Sequence, residues 1–232
     1  TKWTYNTKIP SYGATGWWDK SAYKEGMVLG DIWGLQFDRF LTEDDFNADG
    51  SLKAGLPDQT KVFPAGYQFA PGDVLYKDLD NNGEIVKQTN TNDKGDLSVI
   101  GNALPRLQFG LNLDAAWKGF DISMFFQGVA KRKLWAAGNQ VLPGFTTGEP
   151  FYKGAEDYWT PENTDAFYPR PMDYKQSASG NYSVNDRYLL NMAYLRLKTF
   201  TVGYSLPKVW LSKFKVQGLR VYFTGENLFT ID

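Results

Sequence analysis

Apolar and polar residues alternate most regularly between Leu107 and Gly128. The odd-numbered positions from 107 to 117 are apolar, and so are the even-numbered positions from 120 to 126. The two runs meet at Lys118-Gly119, where glycine supplies the positive φ that a two-residue hairpin turn requires. The pattern predicts a β-hairpin with one apolar face. Its predicted cross-strand pairs are Trp117–Phe120, Ala115–Ile122, Leu113–Met124 and Leu111–Phe126.

The length of the two arms indicates a membrane protein. Strands of roughly 9–11 residues are what a tilted crossing of a bilayer requires, whereas strands of soluble proteins are typically about 5–6 residues long. The face opposite the apolar one carries Asn112, Asp114, Ser123 and Gln127. An apolar face beside a polar one is the pattern of a barrel wall between lipid and a watery lumen.

Other segments show the same alternation. Between Tyr194 and Tyr204 the apolar positions switch from odd to even, which predicts either a β-bulge or an exit from the lipid band. A short helix is predicted at Lys208–Phe214. Further period-2 runs, each predicting a strand, are Trp3–Ile9, Met27–Phe37 and Leu219–Glu226.

The connections between these runs are very unequal. Leu41–Asn102 and Lys131–Asp186 are rich in the residues of loops, whereas Lys118-Gly119 is a tight turn. Bacterial outer-membrane barrels combine short periplasmic turns with long extracellular loops. The sequence therefore predicts an all-β fold, an antiparallel transmembrane β-barrel with long extracellular loops and with the Lys118-Gly119 turn on the periplasmic side.

Composition excludes several functions. The chain contains no cysteine and no histidine, so it has no disulfide, no thiolate metal site and no Ser–His–Asp triad. Its net charge of −1 gives no indication of nucleic-acid binding. No group of residues suggests a catalytic site, so we expect a protein that is not an enzyme.

One loop has the spacing of a calcium site. Asp78, Asp80 and Asn82 precede Gly83 as oxygen ligands do in the first half of a calcium-binding loop. Thr89 occupies the position of the usual bidentate acid, for which Asp93 or Asp96 would have to substitute. Calcium is thus the candidate cofactor, and an Asx-type turn that binds only its own backbone is the alternative.

Aromatic residues in the long loops are candidate substrate contacts. Trp17, Trp18, Tyr158 and Trp159 offer rings on which a sugar or an apolar group could stack. The alternative is that these rings pack within the loops or against a partner protein. Trp117, Phe120 and Trp210 are better placed for the aromatic girdle that membrane barrels carry at the lipid–water interface.

Several segments of the chain resemble the SusC/RagA family of TonB-linked outer-membrane transporters. They occur in the family's order and cover most of the chain. These segments are Gly72–Gly83, Ile100–Asn102, Trp117–Ser123, Phe126–Gly128, Tyr158–Asn163, Tyr168–Arg170, Tyr194–Lys198, Gly203–Pro207, Leu219–Tyr222 and Gly225–Phe229.

The resemblance implies a nutrient importer in the bacterial outer membrane. Members of the family have an N-terminal extension, a plug domain and a barrel of about 22 strands. They take up oligosaccharides or peptides with a SusD-like lipoprotein, and the energy arrives through TonB. Residues 1–232 are expected to be a C-terminal part of such a barrel, without the plug and the TonB-contacting segment. Two rivals remain: a soluble, calcium-stabilised β-sandwich for binding or adhesion, and a secreted glycosidase.

Overall fold

The protein is described here by a computed structural model, which covers residues 28, 30–87, 94–145, 151–172 and 180–232. The chain divides into two compact units. The first, called the loop unit below, comprises Thr1–Leu104 and Leu134–Leu190. The second, called the sheet unit, comprises Pro105–Lys133 and Asn191–Asp232.

The described residues form an all-β structure, as the sequence predicts. The strands in chain order are β1 Asp31–Gly34, β2 Phe37–Phe40, β3 Val74–Tyr76, β4 Ser98–Asn102, β5 Leu107–Trp117, β6 Phe120–Ala130, β7 Lys133–Leu134, β8 Leu190–Asn191, β9 Tyr194–Ser205 and β10 Arg220–Ile231. One short α-helix, α1 Lys208–Leu211, accompanies them, with 3-10 turns at Glu43–Asp45, Thr60–Val62, Lys153–Ala155, Gly180–Tyr182 and Ser212–Phe214. Across the parts of the chain covered, none of the helices has the length and apolar character needed to cross a membrane.

The sheet unit is one antiparallel sheet with the strand order β10-β9-β6-β5. β5 and β6 form the predicted hairpin in the predicted register, from Trp117 opposite Phe120 to Leu107 opposite Ala130. Lys118 and Gly119 both have positive φ, at 47° and 93°. Two such residues in succession are what a type I′ turn demands, and this turn follows the natural twist of the strands.

One face of this sheet is apolar across all four strands. The β5–β6 pairs continue into β9 and β10, where Ile122 lies opposite Val202 and Val202 lies opposite Phe223. We call this surface the apolar face. Its large side chains in β5 and β10 are 42–70% exposed, the members being Leu107, Phe109, Leu111, Leu113, Trp117, Val221, Phe223, Phe229 and Ile231.

A β-bulge in β9 explains the change of phase in its sequence. Thr199 lies opposite Phe125 and Leu197 lies opposite Phe126, so Lys198 is an additional residue in β9. Because one extra residue reverses the side-chain alternation, Leu197 and Phe200 reach the same apolar face although one position is odd and the other even. The predicted bulge is therefore confirmed.

The loop unit contains short ladders around a buried core. β1 pairs with β4, β2 pairs with β3, and both pairings are antiparallel. Separately, β7 pairs with β8 in a two-residue ladder. The core comprises Leu35, Phe40, Val62, Phe63, Val74, Tyr76, Ile85, Leu97, Trp159 and Ala166.

The prediction of a single strand at Met27–Phe37 is wrong. The structure has two short strands there, β1 and β2, interrupted at Leu35 and Gln36. Leu35 is fully buried, and its backbone N–H donates to the Val184 carbonyl at 2.9 Å instead of continuing the β1 ladder. The strand predicted at Trp3–Ile9 lies outside the described residues.

Candidate functional site

The loop unit contains a pocket of about 380 Å³ with an aromatic and proline-rich lining. This volume lies in the lower part of the range typical of small-ligand sites. The residues that line it are Pro143, Phe151, Tyr152, Lys153, Ala155, Glu156, Tyr158, Tyr168, Pro169, Pro171 and Tyr182.

Tyr182 brings an unpaired hydroxyl group to this pocket. Its side chain is 5% exposed, and no hydrogen bond to its hydroxyl is formed within the described parts of the chain. Burial raises the pKa of Tyr182 well above its ordinary value, so the group is a neutral donor and acceptor.

The other walls offer ring faces and charges of both signs. Tyr168 stacks on Tyr188 with an interplanar angle of 11°, and Tyr182 meets Tyr188 edge-on at 5.3 Å. The exposed side chains of Lys153 and Glu156 place an ammonium and a carboxylate in the lining. The pocket can thus contact an apolar surface and hydrogen-bond polar groups, with no excess of either charge.

A buried ion pair fixes the wall that Tyr168 and Pro169 form. Arg170, the next residue, donates from Nε to Oδ1 of Asp73 at 2.8 Å and from Nη2 to Oδ2 at 3.2 Å. Its backbone N–H donates to the Gly72 carbonyl at 3.0 Å. Gly72 has φ of 92°, and a Cβ there would lie 2.5 Å from the Trp159 ring, so glycine is needed for this close approach.

The structure separates the four aromatic residues that the sequence singled out. Tyr158 lines the pocket, while Trp159 is 7% exposed and packs in the core. The backbone N–H of Trp159 donates to the Tyr168 carbonyl at 3.0 Å, and this short parallel bridge sets Tyr158 beside Tyr168. The placement of Trp159 favours the packing alternative. Trp17 and Trp18 lie outside the described residues.

Sequence reasoning did not identify Tyr182, Lys153 or Glu156 as pocket residues. No local spacing marks them, because Tyr182 reaches the pocket only through the folding of the long loop. The aromatic residues of the long loop, Tyr158 among them, are the signal that pointed to this region.

The calcium-like loop brings three carboxylates together. Oxygen atoms of Asp78, Asp80 and Asp96 lie within 4.8 Å of one another. Asn82 serves the turn instead, because its side-chain oxygen accepts the Glu84 N–H at 2.8 Å and its amide donates to Asp80 at 3.0 Å. Asp78 accepts the Gly83 N–H at 2.8 Å. These bonds form the Asx-type turn named as the alternative, and calcium binding stays a prediction.

Asp96 is the buried member of this acidic group. Its two oxygens accept the backbone N–H groups of Leu79 at 2.8 Å and Val86 at 2.7 Å. Burial raises the pKa of Asp96 above its ordinary value, and the nearby Asp80 and Asp78 add to this effect. Of the other residues considered for the loop, Thr89 and Asp93 lie outside the described residues.

The face of the sheet opposite the apolar face carries ordered polar contacts. Arg220 of β10 reaches over Gly203 of β9 and pairs with Asp121 of β6. Thr201 and Thr224 are hydrogen-bonded at 3.0 Å, and Arg196 donates to Thr230 at 2.9 Å. This surface, called the polar face below, is stabilised by cross-strand pairs.

Comparison with known proteins finds similar sequences and similar folds. No protein-family model matches the chain. Two proteins of Formosa agariphila are similar in sequence: TonB-dependent receptor P3 is 29% identical over 213 residues, and TonB-dependent receptor P26 is 34% identical over 153 residues. The matches cover 89% and 64% of this chain.

The fold is similar to that of a solved transporter. The RagAB peptide importer in its closed-closed state matches 90% of the chain with a TM-score of 0.51 and 17% identity. A second structure, of the RagAB peptide transporter, matches 87% with a TM-score of 0.52 and 17% identity. The resemblance to SusC/RagA-type TonB-dependent transporters is confirmed.

The likeness to SusC/RagA-type transporters concerns a part of those proteins. The chain spans 18% and 14% of the length of the two curated relatives it matches. It spans 20% and 19% of the two RagAB chains. These relatives are receptors and transporters by name.

Proposed function

We propose that this chain forms part of the wall and outer loops of a closed barrel in a TonB-dependent outer-membrane importer. The importer takes up oligosaccharides or peptides with a SusD-like lipoprotein partner. Energy for uptake arrives through TonB. The likeness to TonB-dependent receptors and to the RagAB fold supports this role.

The apolar face is the observation that carries the proposal. Four strands of 11 or 12 residues present it without an interrupting charge, and the polar contacts lie on the opposite face. In water, such an apolar surface would be an aggregation hazard. Against lipid it is stable, and the polar face then lines an aqueous lumen.

The same observation disfavours the soluble β-sandwich. In a sandwich, the inner face of each sheet is covered by the other sheet at a distance of about 10 Å. Here Leu107, Trp117 and Phe223 are more than half exposed. The described residues of the sheet unit include no second sheet that would cover them.

The pocket is the proposed contact site for substrate or for the lipoprotein lid. Its rings suit the apolar side of a sugar or of a peptide side chain, and the Tyr182 hydroxyl is available to a polar group. Of the predicted substrate contacts, Tyr158 lies in the lining. Its ring is 40% exposed, so it can stack on a ligand without rearrangement of the core.

Growth and fractionation of cells test this function. Cells that depend on the protein should lose growth on one oligosaccharide or peptide when its gene is deleted or TonB is inactivated, and the protein should fractionate with outer membranes. Tyr158→Ala should slow uptake, whereas Tyr158→Phe should retain it because the ring is kept. Recovery of the protein in the soluble periplasmic fraction would contradict the proposal.

A further inference from the structure

The Lys118-Gly119 turn and the β9–β10 connection lie at the same end of the sheet. The backbone N–H of Ser205 donates to the Gly119 carbonyl at 2.7 Å. The two ends of the β9–β10 connection are joined by a hydrogen bond from the Leu206 N–H to the Leu219 carbonyl at 2.9 Å. We call the turn together with residues 206–219 the basic end of the sheet.

The basic end carries four lysines and no carboxylate. Lys118 occupies the turn, and Lys208, Lys213 and Lys215 follow within the connection, which contains neither Asp nor Glu. All four side chains are exposed, and among the residues that the structure describes none of them forms an ion pair. The nearby carboxylate of Asp121 is already paired with Arg220. The Lys118 ammonium lies over the Trp117 ring, 4.7 Å from its centroid, and no carboxylate among the described residues compensates the four positive charges.

The connection also presents apolar side chains to its surroundings. Helix α1 exposes Val209 by 75% and Trp210 by 60%, while its neighbour Leu211 is buried. The Ser212 hydroxyl donates to the Val209 carbonyl at 3.0 Å, which fixes the end of this short helix. Leu211 thus anchors the helix, and Val209 and Trp210 are held outward.

Val209 and Trp210 lie at the same end of the sheet as Trp117 and Phe120 of the apolar face. Trp117 and Phe120 flank the turn and are 70% and 54% exposed. Tryptophan at the end of a membrane strand is typical of the interface between hydrocarbon and headgroups. Lysines beside it would then lie at the depth of the headgroups themselves.

The net charge of the lipid headgroup determines which lipids the basic end binds. A zwitterionic headgroup would compensate its own phosphate and leave the four ammonium groups unpaired. An anionic phospholipid offers a net negative charge to each lysine, and basic segments beside a membrane bind such lipids for this reason. Exposed Val209 and Trp210 favour a lipid surface over a purely polar anionic partner.

We propose that the basic end binds the headgroups of anionic phospholipids in the leaflet on the side of the tight turn. The inference rests on the proposed function, since it requires the apolar face to lie in a bilayer. It adds a lipid specificity that a generic barrel wall would not have. The positive charge comes from Lys118, Lys208, Lys213 and Lys215. The side chains of Val209 and Trp210 insert between the headgroups.

Reconstitution into nanodiscs tests the inference. The intact importer that contains this chain is placed in nanodiscs of phosphatidylcholine mixed with phosphatidylglycerol, and the phosphatidylglycerol bound to it is measured by native mass spectrometry. The unmodified protein should be enriched in phosphatidylglycerol, and added salt should weaken the enrichment because it screens charge. The triple variant Lys208→Gln, Lys213→Gln, Lys215→Gln should lower the preference roughly tenfold or more.

A matched variant controls for net charge. Lys53→Gln, Lys77→Gln and Lys94→Gln remove three exposed lysines of the loop unit and should leave the enrichment unchanged. Equal enrichment in both triple variants, or none in the unmodified protein, would overturn the lipid specificity while the proposed function stands. Failure of the unmodified protein to enter nanodiscs of any composition would instead contradict the proposed function, and this inference with it.

Discussion

Arg170 and Asp73 form a bidentate ion pair although 97 residues separate them along the chain. Asp73 is fully buried and also accepts hydrogen bonds from the Tyr67 hydroxyl at 2.7 Å and from the Asn181 amide at 3.0 Å. One carboxylate thus joins three distant parts of the loop unit. A buried charge persists only where donors of this kind surround it.

Removal of the arginine should destabilise the loop unit. Arg170→Met leaves the buried Asp73 carboxylate without its cation, so we expect a loss of about 3 kcal/mol or more. Hydrogen exchange followed by mass spectrometry should show faster exchange in peptides that cover 67–76 and 168–172. The backbone N–H of residue 170, which donates to the Gly72 carbonyl, should be among the amides that exchange faster.

An exposed ion pair provides the control. Lys61 and Glu84 pair at the surface of the same unit, with both side chains about half exposed. Lys61→Met should change stability far less than Arg170→Met does, because exposed pairs contribute little. Equal effects of Arg170→Met and Lys61→Met would show that Asp73 does not organise the loops.

Asp45 should make the loop unit sensitive to acid. Hydrogen bonds from Arg39 at 2.6 and 2.7 Å, which outweigh the effect of burial, lower the pKa of Asp45 from 3.8 to about 2. The pKa of Asp45 is lower in the folded state than in the unfolded state. The contribution of ionised Asp45 to the stability of the folded protein is therefore complete above about pH 5 and is lost as the pH falls through about 2.

The variant Asp45→Asn isolates this contribution. The difference in the free energy of unfolding between the unmodified protein and Asp45→Asn should be large at about pH 6 and should shrink toward about pH 2. Chemical denaturation at several pH values measures it. A difference that stays constant over this range would contradict the assigned role of Asp45.

Gly203 should be required for the contact between β10 and β6. A Cβ at this position would lie 2.5 Å from Nη2 of Arg220, whose side chain crosses it to reach Asp121. Gly203→Ala should therefore displace the flexible end of the Arg220 side chain and weaken its pairing with Asp121, with only a small loss of stability because this pair is exposed. In an Arg220→Ala background the same change should cost nothing, since alanine suits a strand better than glycine.

A double-mutant cycle measures this coupling. Gly203→Ala, Arg220→Ala and the double variant are unfolded in detergent micelles, and the interaction energy is obtained by difference. Additive effects of the two substitutions would show that the arginine does not cross the glycine.

The β-bulge should be required for the continuity of the apolar face. Deletion of Lys198 would shift the preceding part of β9 by one residue, so Leu195 and Leu197 would move to the polar face. We expect this deletion to prevent folding into micelles, as judged by tryptophan fluorescence. Deletion of Gln217, an exposed residue of the β9–β10 connection, is the matched control and should be tolerated.

The sequence was most informative where local periodicity determines the structure. The β5–β6 hairpin and its pairing follow from alternation and one glycine, and the bulge at Lys198 follows from a change of parity. Both depend only on neighbouring residues. The same alternation misled at Met27–Phe37, because the Leu35 N–H donates to the Val184 carbonyl, and no local pattern encodes a contact over such a distance.

The candidate site was only partly predictable for the same reason. Tyr158 was identified as an aromatic loop residue, but neighbouring Trp159 has the same chemistry and is buried in the core. Tyr182 enters the pocket through long-range packing of the loop. For the acidic loop, the spacing named Asp78 and Asp80 correctly as neighbours and left Asp93 and Asp96 as alternatives for a third carboxylate. Asp96 joins the other two because the chain folds back.

The central claim is that the apolar face lies against lipid and the polar face against water. Because the chain contains no cysteine, single cysteines at Leu111, Asn112, Leu113 and Asp114 can each be labelled without background. In bilayers that contain brominated lipid, fluorophores at Leu111 and Leu113 should be quenched, whereas those at Asn112 and Asp114 should not. Uniform quenching at all four positions, or none at any, would contradict the account.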